Sequence, residues 1–377
     1  MFCKEDKTFA SEFLDRVVKK VTAMAPEIGA NFPVTNSSLG EWDPKGTKTN
    51  ISAWTNGFWP GMMWLMYLKT GNEMFKKYAE ECEEKLDEAF DIFTGINHDV
   101  GFMWILSAVA DYKITGNEKS KARAMHAATV LAGRFNHIAK YIRAWENSSL
   151  RFAIIDCMMN IPLLSFATSI QDDPRFAQVA EAHADTVAKH FIRADGSSNH
   201  IVEIDPHTGD ILSTPRGQGY DSGSSWSRGQ AWALYGFALA YLNLGKQEYL
   251  DISKKVAHYF IANIEDGKLP LVDFRAPSEP IYYDSSAASI AACGLIELAN
   301  IVPEYEAKIY ERAAMKLLRV LDENCNYDPD ELRLLENGSS SYHKLTGMHM
   351  PWIFGDYYLL EALMKIDGND GRFSVHK

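Results

Sequence analysis

Apolar side chains recur along most of the chain at spacings of three and four residues, the pattern that places them on one face of an α-helix. Strand-like alternation is confined to short pieces such as His200–Ile204 and Pro270–Phe274. The helices predicted from this pattern are Phe9–Ala25, Phe58–Thr70, Glu73–Ile92, Met103–Thr115, Lys119–Arg134, Ile155–Thr168, Pro174–Phe191, Gln230–Leu244, Gln247–Ile264, Ser285–Ile301, Glu304–Cys325 and Ile353–Ile366.

A similar turn separates many of these helices. An apolar helix end is followed by a glycine or an Asp-Pro pair, as at Gly71, Gly116, Asp173 and Gly245, and then by an amphipathic helix. Glycine provides a left-handed C-cap, and Asn or Asp provides the next N-cap. The turns recur roughly 45–75 residues apart, which suits a helical hairpin plus a variable loop. We therefore predict an all-α fold, an (α/α)6 barrel of six helical hairpins, as a single domain over residues 1–377.

Long segments rich in aromatic residues connect the predicted hairpins. In a barrel these loops would collect at one end and the short turns at the other. An open solenoid is disfavoured, because its sequence repeat would be stricter and its loops shorter. We expect the functional site at the long-loop end. The loops are Gly40–Phe58, Phe93–Phe102, His137–Ile154, Asp195–Gly229, Glu265–Asp284 and Asn326–Phe354.

Charge and composition exclude several classes of protein. The net charge of −12 over 377 residues and the absence of a basic stripe argue against a nucleic-acid partner. The sequence has no run of about 18 apolar residues, so we expect no membrane span. The first twenty residues are charged and amphipathic and lack the apolar core of a signal peptide. These features favour a cytoplasmic protein.

The five cysteines are scattered and form no CxxC or CxxH spacing. This distribution is typical of reduced thiols and does not resemble a disulfide framework or a zinc site. The histidines also lack the spacing of metal ligands. We predict that the protein uses neither a metal nor a cofactor. The sequence leaves its oligomeric state open.

Two aspartates are candidates for proton transfer. Asp156 is an isolated acidic residue in the apolar sequence RFAIIDCMMNIPLL, where burial would favour a protonated carboxyl able to act as an acid. Asp99 follows His98 in NHDVGFMW, on a loop that enters the next inner helix. Both would lie at the same barrel mouth, where neighbouring carboxylates push their pKa values apart. The alternative for each is an aspartate that caps a helix or, for Asp156, a core aspartate that bonds to the backbone.

The segment Asp221–Gly236 combines a Ser/Gly-rich loop with an arginine between two tryptophans. Indole rings stack on the apolar face of a sugar, and a guanidinium can bind a carboxylate through two parallel hydrogen bonds. We therefore predict that Arg228 lies between Trp226 and Trp232 and that the segment binds a small acidic sugar.

Other aromatic and polar residues of the long loops could complete a carbohydrate site. Any one of them is more often a core or a surface residue, but as a set they could bind hydroxyl groups and a carboxylate. The candidates are Trp54, Trp145, His200, Gln218, Tyr342, His343 and Lys344.

Six segments, taken in order, resemble the unsaturated glucuronyl hydrolases of glycoside hydrolase family 88. They are WTNGFWPGMMW, NHDVGFM, IIDCMMNIPLL, SSWSRGQAWALYGFA, DSSAASIAACGLIEL and GDYYLLEALMK, and they extend from about Trp54 to Lys365. The resemblance implies an (α/α)6 barrel, no metal and a substrate made by polysaccharide lyases. That substrate is an oligosaccharide ending in a Δ4,5-unsaturated uronic acid. The implied reaction is hydration of the vinyl ether, with protonation at C4 and addition of water at C5.

The resemblance also implies roles for individual residues. It makes Asp156 the general acid and base and Asp99 a second essential carboxylate. Substrate contacts are implied for Trp54, His98, Trp145, His200, Gln218, Arg228, Trp232, Tyr342 and His343. The chain departs from the family pattern at Asn56, where an acid is common, and at Gly217, where some members place an arginine before the glutamine.

Three alternatives differ from this interpretation. An unsaturated rhamnogalacturonyl or galacturonyl hydrolase would share the barrel and similar chemistry but would rely on one essential aspartate. A sugar epimerase would need a pair of histidines in the cavity. A non-catalytic sugar-binding barrel would keep the two aspartates paired and inert.

Overall fold

The computed structural model describes residues 2–36, 39–146 and 151–376. Its helices form two concentric layers. The inner layer consists of α2 (Phe58–Thr70), α4 (Val100–Trp104) with α5 (Ala110–Thr115), α7 (Pro162–Gln171), α9 (Ser227–Leu244), α11 (Ser285–Ile301) and α13 (Ile353–Asp367). The outer layer consists of α1 (Lys4–Ile28), α3 (Glu73–Ile92), α6 (Glu118–Gly133), α8 (Pro174–His190), α10 (Gln247–Ala262) and α12 (Glu304–Glu323). The predicted (α/α)6 barrel is confirmed.

The two layers differ in how much of each helix is buried. Nearly every residue of α9, α11 and α13 is buried, whereas α3 and α12 bury one face and expose the other. A helix that is apolar all round needs neighbours on every side, and an amphipathic helix needs them on one. Helix α13 packs against both α1 and α2, which closes the ring. Among the described helices, none combines the length and apolarity that crossing a membrane requires.

The predicted turn chemistry is present at the helix ends. Gly71, Gly116 and Gly245 adopt the left-handed conformation as C-caps of α2, α5 and α9. The side chains of Asn72 and Asn117 then accept hydrogen bonds from main-chain N–H groups at the starts of α3 and α6. Each pair ends one helix and starts the next within a short connection.

Several predicted helix boundaries were wrong, including the start of α9, which lies at Ser227 and not at Gln230. Helix α1 begins at Lys4, ahead of the expected Phe9. The predicted helix from Met103 begins at Val100 and contains a π-helical turn at Ile105–Val109. The predicted helix from Ile155 is instead a 3-10 helix, Ile155–Met159, followed by α7. Pro162 accounts for this break, because proline lacks an N–H and fits the first turn of a helix.

Short antiparallel strands brace the long loops. They are β1 (Val34–Asn36) with β2 (Glu41–Asp43), β3 (Phe135–Asn136) with β4 (Tyr141–Ile142), and a sheet in the order β5 (Phe152–Ile154), β6 (Ile201–Ile204), β7 (Ile211–Ser213). Strand β6 confirms the prediction for His200–Ile204, while Pro270–Phe274 contributes isolated bridges. Ile154 pairs with Ile201, so Asp156 and His200 emerge side by side.

Close packing of the inner helices predicts that Gly294→Ala destabilises the protein. A methyl group at this position of α11 would lie 3.0 Å from Tyr235 Cβ and would overlap Leu234 of α9. Overpacking of this kind costs about 1–3 kcal/mol in the free energy of unfolding. Gly133→Ala is the control, because a methyl group there meets nothing within 4 Å. We expect that variant to gain about 0.4–1 kcal/mol. Denaturant unfolding of both variants checks the prediction, and equal stabilities would contradict it.

Candidate active site

A cavity of about 430 Å³ opens at the long-loop end of the barrel. Five of the six long loops contribute residues to its wall. The sixth, the loop before α11, lines a neighbouring cavity. The wall is formed by Trp54, Asn97, Asp99, Phe102, Trp145, Ile154, Asp156, Gln218, Trp226, Arg228, Trp232, Ser340, Ser341, Lys344, Trp352 and Phe354.

Local structure aims the main polar groups into this cavity. Asp99 is the N-cap residue of α4, and Asp156 lies in the 3-10 helix that follows β5. Arg228 and Trp232 occupy the first turns of α9. Trp54 begins a 3-10 helix, Trp54–Gly57, that precedes α2. Most of the predicted site residues therefore meet on one wall, although they are far apart in sequence.

The two carboxyl groups are largely buried, with 13% of each side chain exposed. Burial, and to a smaller extent the charge of nearby Asp156, raise the pKa of Asp99 to about 8. Asp99 is therefore mainly protonated at neutral pH. A pair of neighbouring carboxyls of which at most one is ionised is suited to proton transfer.

Two predicted histidines lie directly behind these carboxyls and do not line the cavity. Nε2 of His98 is 3.3 Å from Oδ1 of Asp99, and Nε2 of His200 is 3.6 Å from Oδ2 of Asp156. Burial and the charge of Arg134 hold the pKa of His98 well below its usual value, so its ring is neutral.

The His200 ring links Asp156 to the loop that carries Gln218. Its Nδ1 accepts a hydrogen bond from the main-chain N–H of Gln218 at 3.0 Å. Its ring packs 4.3 Å from that of Trp226. The geometry fits a residue that orients the Asp156 carboxyl.

The structure corrects the expected surroundings of Arg228. Its Cζ lies 4.6 Å from the ring centre of Trp226, as expected, but its second aromatic partner is Phe354 of α13, at 5.1 Å, and not Trp232. The guanidinium also forms a buried ion pair of 2.7 Å with Asp284. It donates further hydrogen bonds to Ser286 Oγ and to the main-chain oxygens of Ser339 and Ser340.

These contacts change what Arg228 does. Its charge is balanced by a carboxylate of the protein itself, so the expected two-point binding of a substrate carboxylate is not its main interaction. The ion pair joins the starts of α9 and α11 to the loop before α13. Arg228 therefore shapes the wall of the cavity to which it also contributes.

Aromatic rings form a further part of the wall. Trp54 stacks on Phe354 with centroids 5.0 Å apart, and Phe102 lies between Trp54 and Trp232 at 5.3 and 5.2 Å. Trp145 contributes a further indole. Aromatic faces of this kind suit the apolar face of a sugar ring.

The two remaining predicted residues lie beside the cavity. Tyr342 packs against Tyr220 and Tyr282 and lines a second cavity of about 220 Å³. His343 is exposed and stacks on Tyr220. The main-chain N–H of Tyr342 bonds to the carbonyl of Gln218, so this cluster supports the rim of the main cavity.

Several wall residues were missed by the sequence analysis. They are Asn97, Phe102, Ile154, Ser340, Ser341, Trp352 and Phe354. All lie in or next to the predicted long loops, which was their one sequence signal. In the sequence, Trp352 and Phe354 look like the apolar start of a helix. Their position on the cavity wall depends on how the barrel closes, which the local sequence does not show.

Asn56, a departure from the family pattern, is fully buried beside this wall. Its amide donates hydrogen bonds to the carbonyls of Asn50 and Ile51 at 2.9 and 3.0 Å. It therefore holds the preceding loop against the 3-10 helix Trp54–Gly57. In the part of the chain that the structure describes, no three His, Cys, Asp or Glu side chains cluster as metal ligands.

A closed helical barrel with two neighbouring carboxyls in an aromatic cavity suits a carbohydrate-active enzyme. The chain belongs to glycoside hydrolase family 88, because the model of Glycosyl Hydrolase Family 88 matches residues 22–262. The protein is thus a glycoside hydrolase, as the sequence motifs implied.

Individual relatives extend over nearly the whole chain. The unsaturated glucuronyl hydrolase of Bacillus sp. strain GL1 is 37% identical over 355 residues, which cover 90% of this chain and 92% of that protein. The unsaturated chondroitin disaccharide hydrolase of Streptococcus pyogenes serotype M1 is 33% identical over 380 residues, covering 97% and 93%. A solved structure of an unsaturated glucuronyl hydrolase variant with dGlcA-Glc-Rha-Glc matches with a TM-score of 0.90 at 32% identity, covering 96% of this chain and 98% of that one.

The raised pKa of Asp99 predicts how pH changes stability. Its value of about 8 in the folded protein lies far above that of an unfolded aspartate, near 4. Between these values the folded state holds a proton that the unfolded state lacks, so stability falls as pH rises, by up to about 1.4 kcal/mol per pH unit. Asp99→Asn should flatten this dependence. Chemical denaturation from pH 4 to 9 checks it, with exposed Asp210→Asn as the control. Wild-type slopes in Asp99→Asn would show that Asp99 is already ionised.

The buried ion pair of Arg228 predicts that Arg228→Lys is not conservative. Lysine keeps the charge opposite Asp284 but loses the planar contacts with Trp226 and Phe354 and the fork of donors. We expect a loss of about 1–3 kcal/mol in stability, and a similar loss in kcat/KM. Arg319→Lys is the control, because Arg319 also contacts a ring, that of Phe9, and an aspartate, but is half exposed. It should change stability by less than about 1 kcal/mol. Equal effects of the two variants on thermal unfolding would contradict the prediction.

Proposed function

We propose that this protein is an unsaturated glucuronyl hydrolase. It removes a Δ4,5-unsaturated uronic acid from the non-reducing end of oligosaccharides produced by polysaccharide lyases. The observation that carries the proposal is the shared cavity of Asp99 and Asp156, whose wall includes Trp54, Trp145 and Trp232. The names of the relatives support the same substrate class.

The reaction adds water across an electron-rich alkene. A carboxylic acid gives its proton to C4, and a water oxygen bonds to C5 while a carboxylate takes the water proton. The resulting hemiketal opens, and the neighbouring sugar then leaves with a proton. Because no charge develops on the leaving oxygen in the first step, the usual spacing rule for paired glycosidase carboxylates does not apply.

Asp156 is the proposed proton donor and the acceptor of the water proton. Its carboxyl faces the cavity, and Nε2 of His200 lies 3.6 Å from its Oδ2 on the side away from the cavity. Asp99, protonated at neutral pH, stands beside it as a neutral hydrogen-bond donor. The pair thus presents at most one negative charge to an anionic uronate. The alkaline side of the pH profile should reflect loss of the Asp99 proton.

The surrounding residues hold the sugar. Trp54, Trp145 and Trp232 offer ring faces, and Gln218 and the serines of the loop before α13 offer polar groups. Arg228 holds this loop in place through its bonds to the main-chain carbonyls of Ser339 and Ser340. Direct sugar contacts of His98, Tyr342 and His343 are less favoured by their positions behind or beside the wall.

We also propose that the whole chain is one catalytic domain working in the cytoplasm. Packing of α13 against α1 joins the two ends of the described chain into one ring. The cysteines Cys3, Cys82, Cys157, Cys293 and Cys325 are all free, which suits a reducing compartment. Cell fractionation followed by immunodetection tests the location.

Asp156→Asn should fold normally and lose nearly all turnover. Removal of a general acid and base costs about 10²–10⁴-fold in kcat. The measurement is the decay of the far-UV absorbance of the conjugated alkene with unsaturated chondroitin, hyaluronan, heparin and rhamnogalacturonan disaccharides. Wild-type and Asp210→Asn proteins serve as active references.

The panel also separates the alternatives. Turnover limited to the rhamnogalacturonan disaccharide would favour the pectin-type hydrolase. Near-normal turnover by folded Asp156→Asn would refute the mechanism, and binding without turnover by the wild type would favour a sugar-binding barrel.

A further inference from the structure

The side chain of Asn160 joins the two chain segments that carry Asp99 and Asp156. Asn160 is fully buried at the end of the 3-10 helix Ile155–Met159 and does not line the cavity. Its Oδ1 accepts a hydrogen bond from the main-chain N–H of Phe102 at 2.7 Å. Its Nδ2 donates to the main-chain oxygen of Asp156 at 3.3 Å. One short amide thus ties the first turn of α4 to the turn that holds Asp156.

The sequence around Asp99 is built for this close approach. A Cβ at Gly101 would lie 2.5 Å from Oδ1 and 2.6 Å from Cβ of Asn160, so a larger residue would push the amide away. On another side of the same turn, a Cβ at Gly57 would lie 2.6 Å from Cα of Met103. Two glycines therefore let the backbone after Asp99 be held tightly, with Asn160 supplying the polar link.

Asn160 also acts on the charge of the nearby carboxyl. Hydrogen bonding by Asn160 lowers the pKa of Asp99, against the larger upward effect of burial and the upward effect of Asp156. An amide N–H donates to a carboxylate and stabilises its ionised form. The same side chain therefore influences both where Asp99 lies and how readily it ionises.

We propose that Asn160 is a positioning residue that fixes the separation and relative orientation of Asp99 and Asp156. The proposal rests on the proposed function, since it assigns the two aspartates to one reaction. Asn160 acts through the carboxyls and touches no substrate. A buried asparagine that is merely structural would contribute to stability and leave the chemistry of the pair unchanged.

Asn243 provides a matched control for this distinction. It is a buried asparagine near the far end of α9, and its Nδ2 donates to the carbonyls of Leu239 and Ser374 at 3.0 and 2.8 Å. Its Oδ1 accepts from the N–H of His376 at 2.8 Å. It thus bonds to the backbone through both ends of the amide, as Asn160 does, without contacting either aspartate.

The experiment compares Asn160→Ala with Asn243→Ala for kcat, KM and pH profile on an unsaturated disaccharide that the wild type cleaves. Both variants should be less stable. Asn160→Ala should lose about 10²-fold in kcat, the scale of a small misplacement of reacting groups, with KM little changed. Its alkaline limb should move to higher pH, because the bond that lowers the pKa of Asp99 is gone. Asn243→Ala should keep the wild-type kcat and the wild-type alkaline side of the pH profile.

Wild-type kcat and an unshifted limb in Asn160→Ala, or equal changes in Asn243→Ala, would overturn the proposal. Should Asn160→Ala not fold, Asn160→Ser takes its place, because its hydroxyl fills part of the space. The pH dependence of unfolding gives a readout independent of turnover, and in the Asn160 variant it should extend to higher pH. A wild type inactive on every unsaturated disaccharide would refute the proposed function, whereas an unshifted unfolding profile would refute the role of Asn160.

Discussion

Two largely buried carboxyl groups share one cavity at the loop end of the barrel. Their burial costs free energy, and the surrounding groups must offset that cost. An ionised carboxylate loses hydration on burial, and a second one nearby adds repulsion. The raised pKa of Asp99 follows from both effects. Asp99 therefore keeps its proton at neutral pH, so the cavity does not hold two neighbouring negative charges.

Holding the carboxyls in this environment requires a second layer of polar groups. His98 and His200 approach the carboxyls from behind, at 3.3 and 3.6 Å, and Asn160 links the segments that carry them. His98, His200 and Asn160 are buried and directly adjoin regular structure, namely α4, β6 and the 3-10 helix Ile155–Met159. Such groups have little freedom to move, so the geometry of the pair is set before a substrate enters.

The buried pair of Arg228 and Asp284 plays the corresponding part for the cavity wall. With the further hydrogen bonds of Arg228, it connects α9, α11 and the loop before α13, three parts of the barrel that are far apart in the sequence. Removing one partner would leave the other charged and buried, which typically costs about 3–5 kcal/mol. The wall is thus stabilised by an interaction inside the protein, while the rings of Trp54 and Trp232 line the cavity.

The sequence by itself determined the helices, their short turns and the end of the barrel where the site lies. These features depend on local periodicity and on caps such as Gly71 and Asn72, which act over a few residues. Asp99 and Asp156 could also be found locally, as acids in apolar surroundings next to long loops. The motifs added the family and its chemistry.

The tertiary structure decided which groups meet: Phe354, not Trp232, as the second ring at Arg228, Asp284 as its counterion, and Asn160 as the link between the aspartates. Those contacts join residues far apart in the chain, and they follow from how six hairpins close into a ring, which no local pattern encodes.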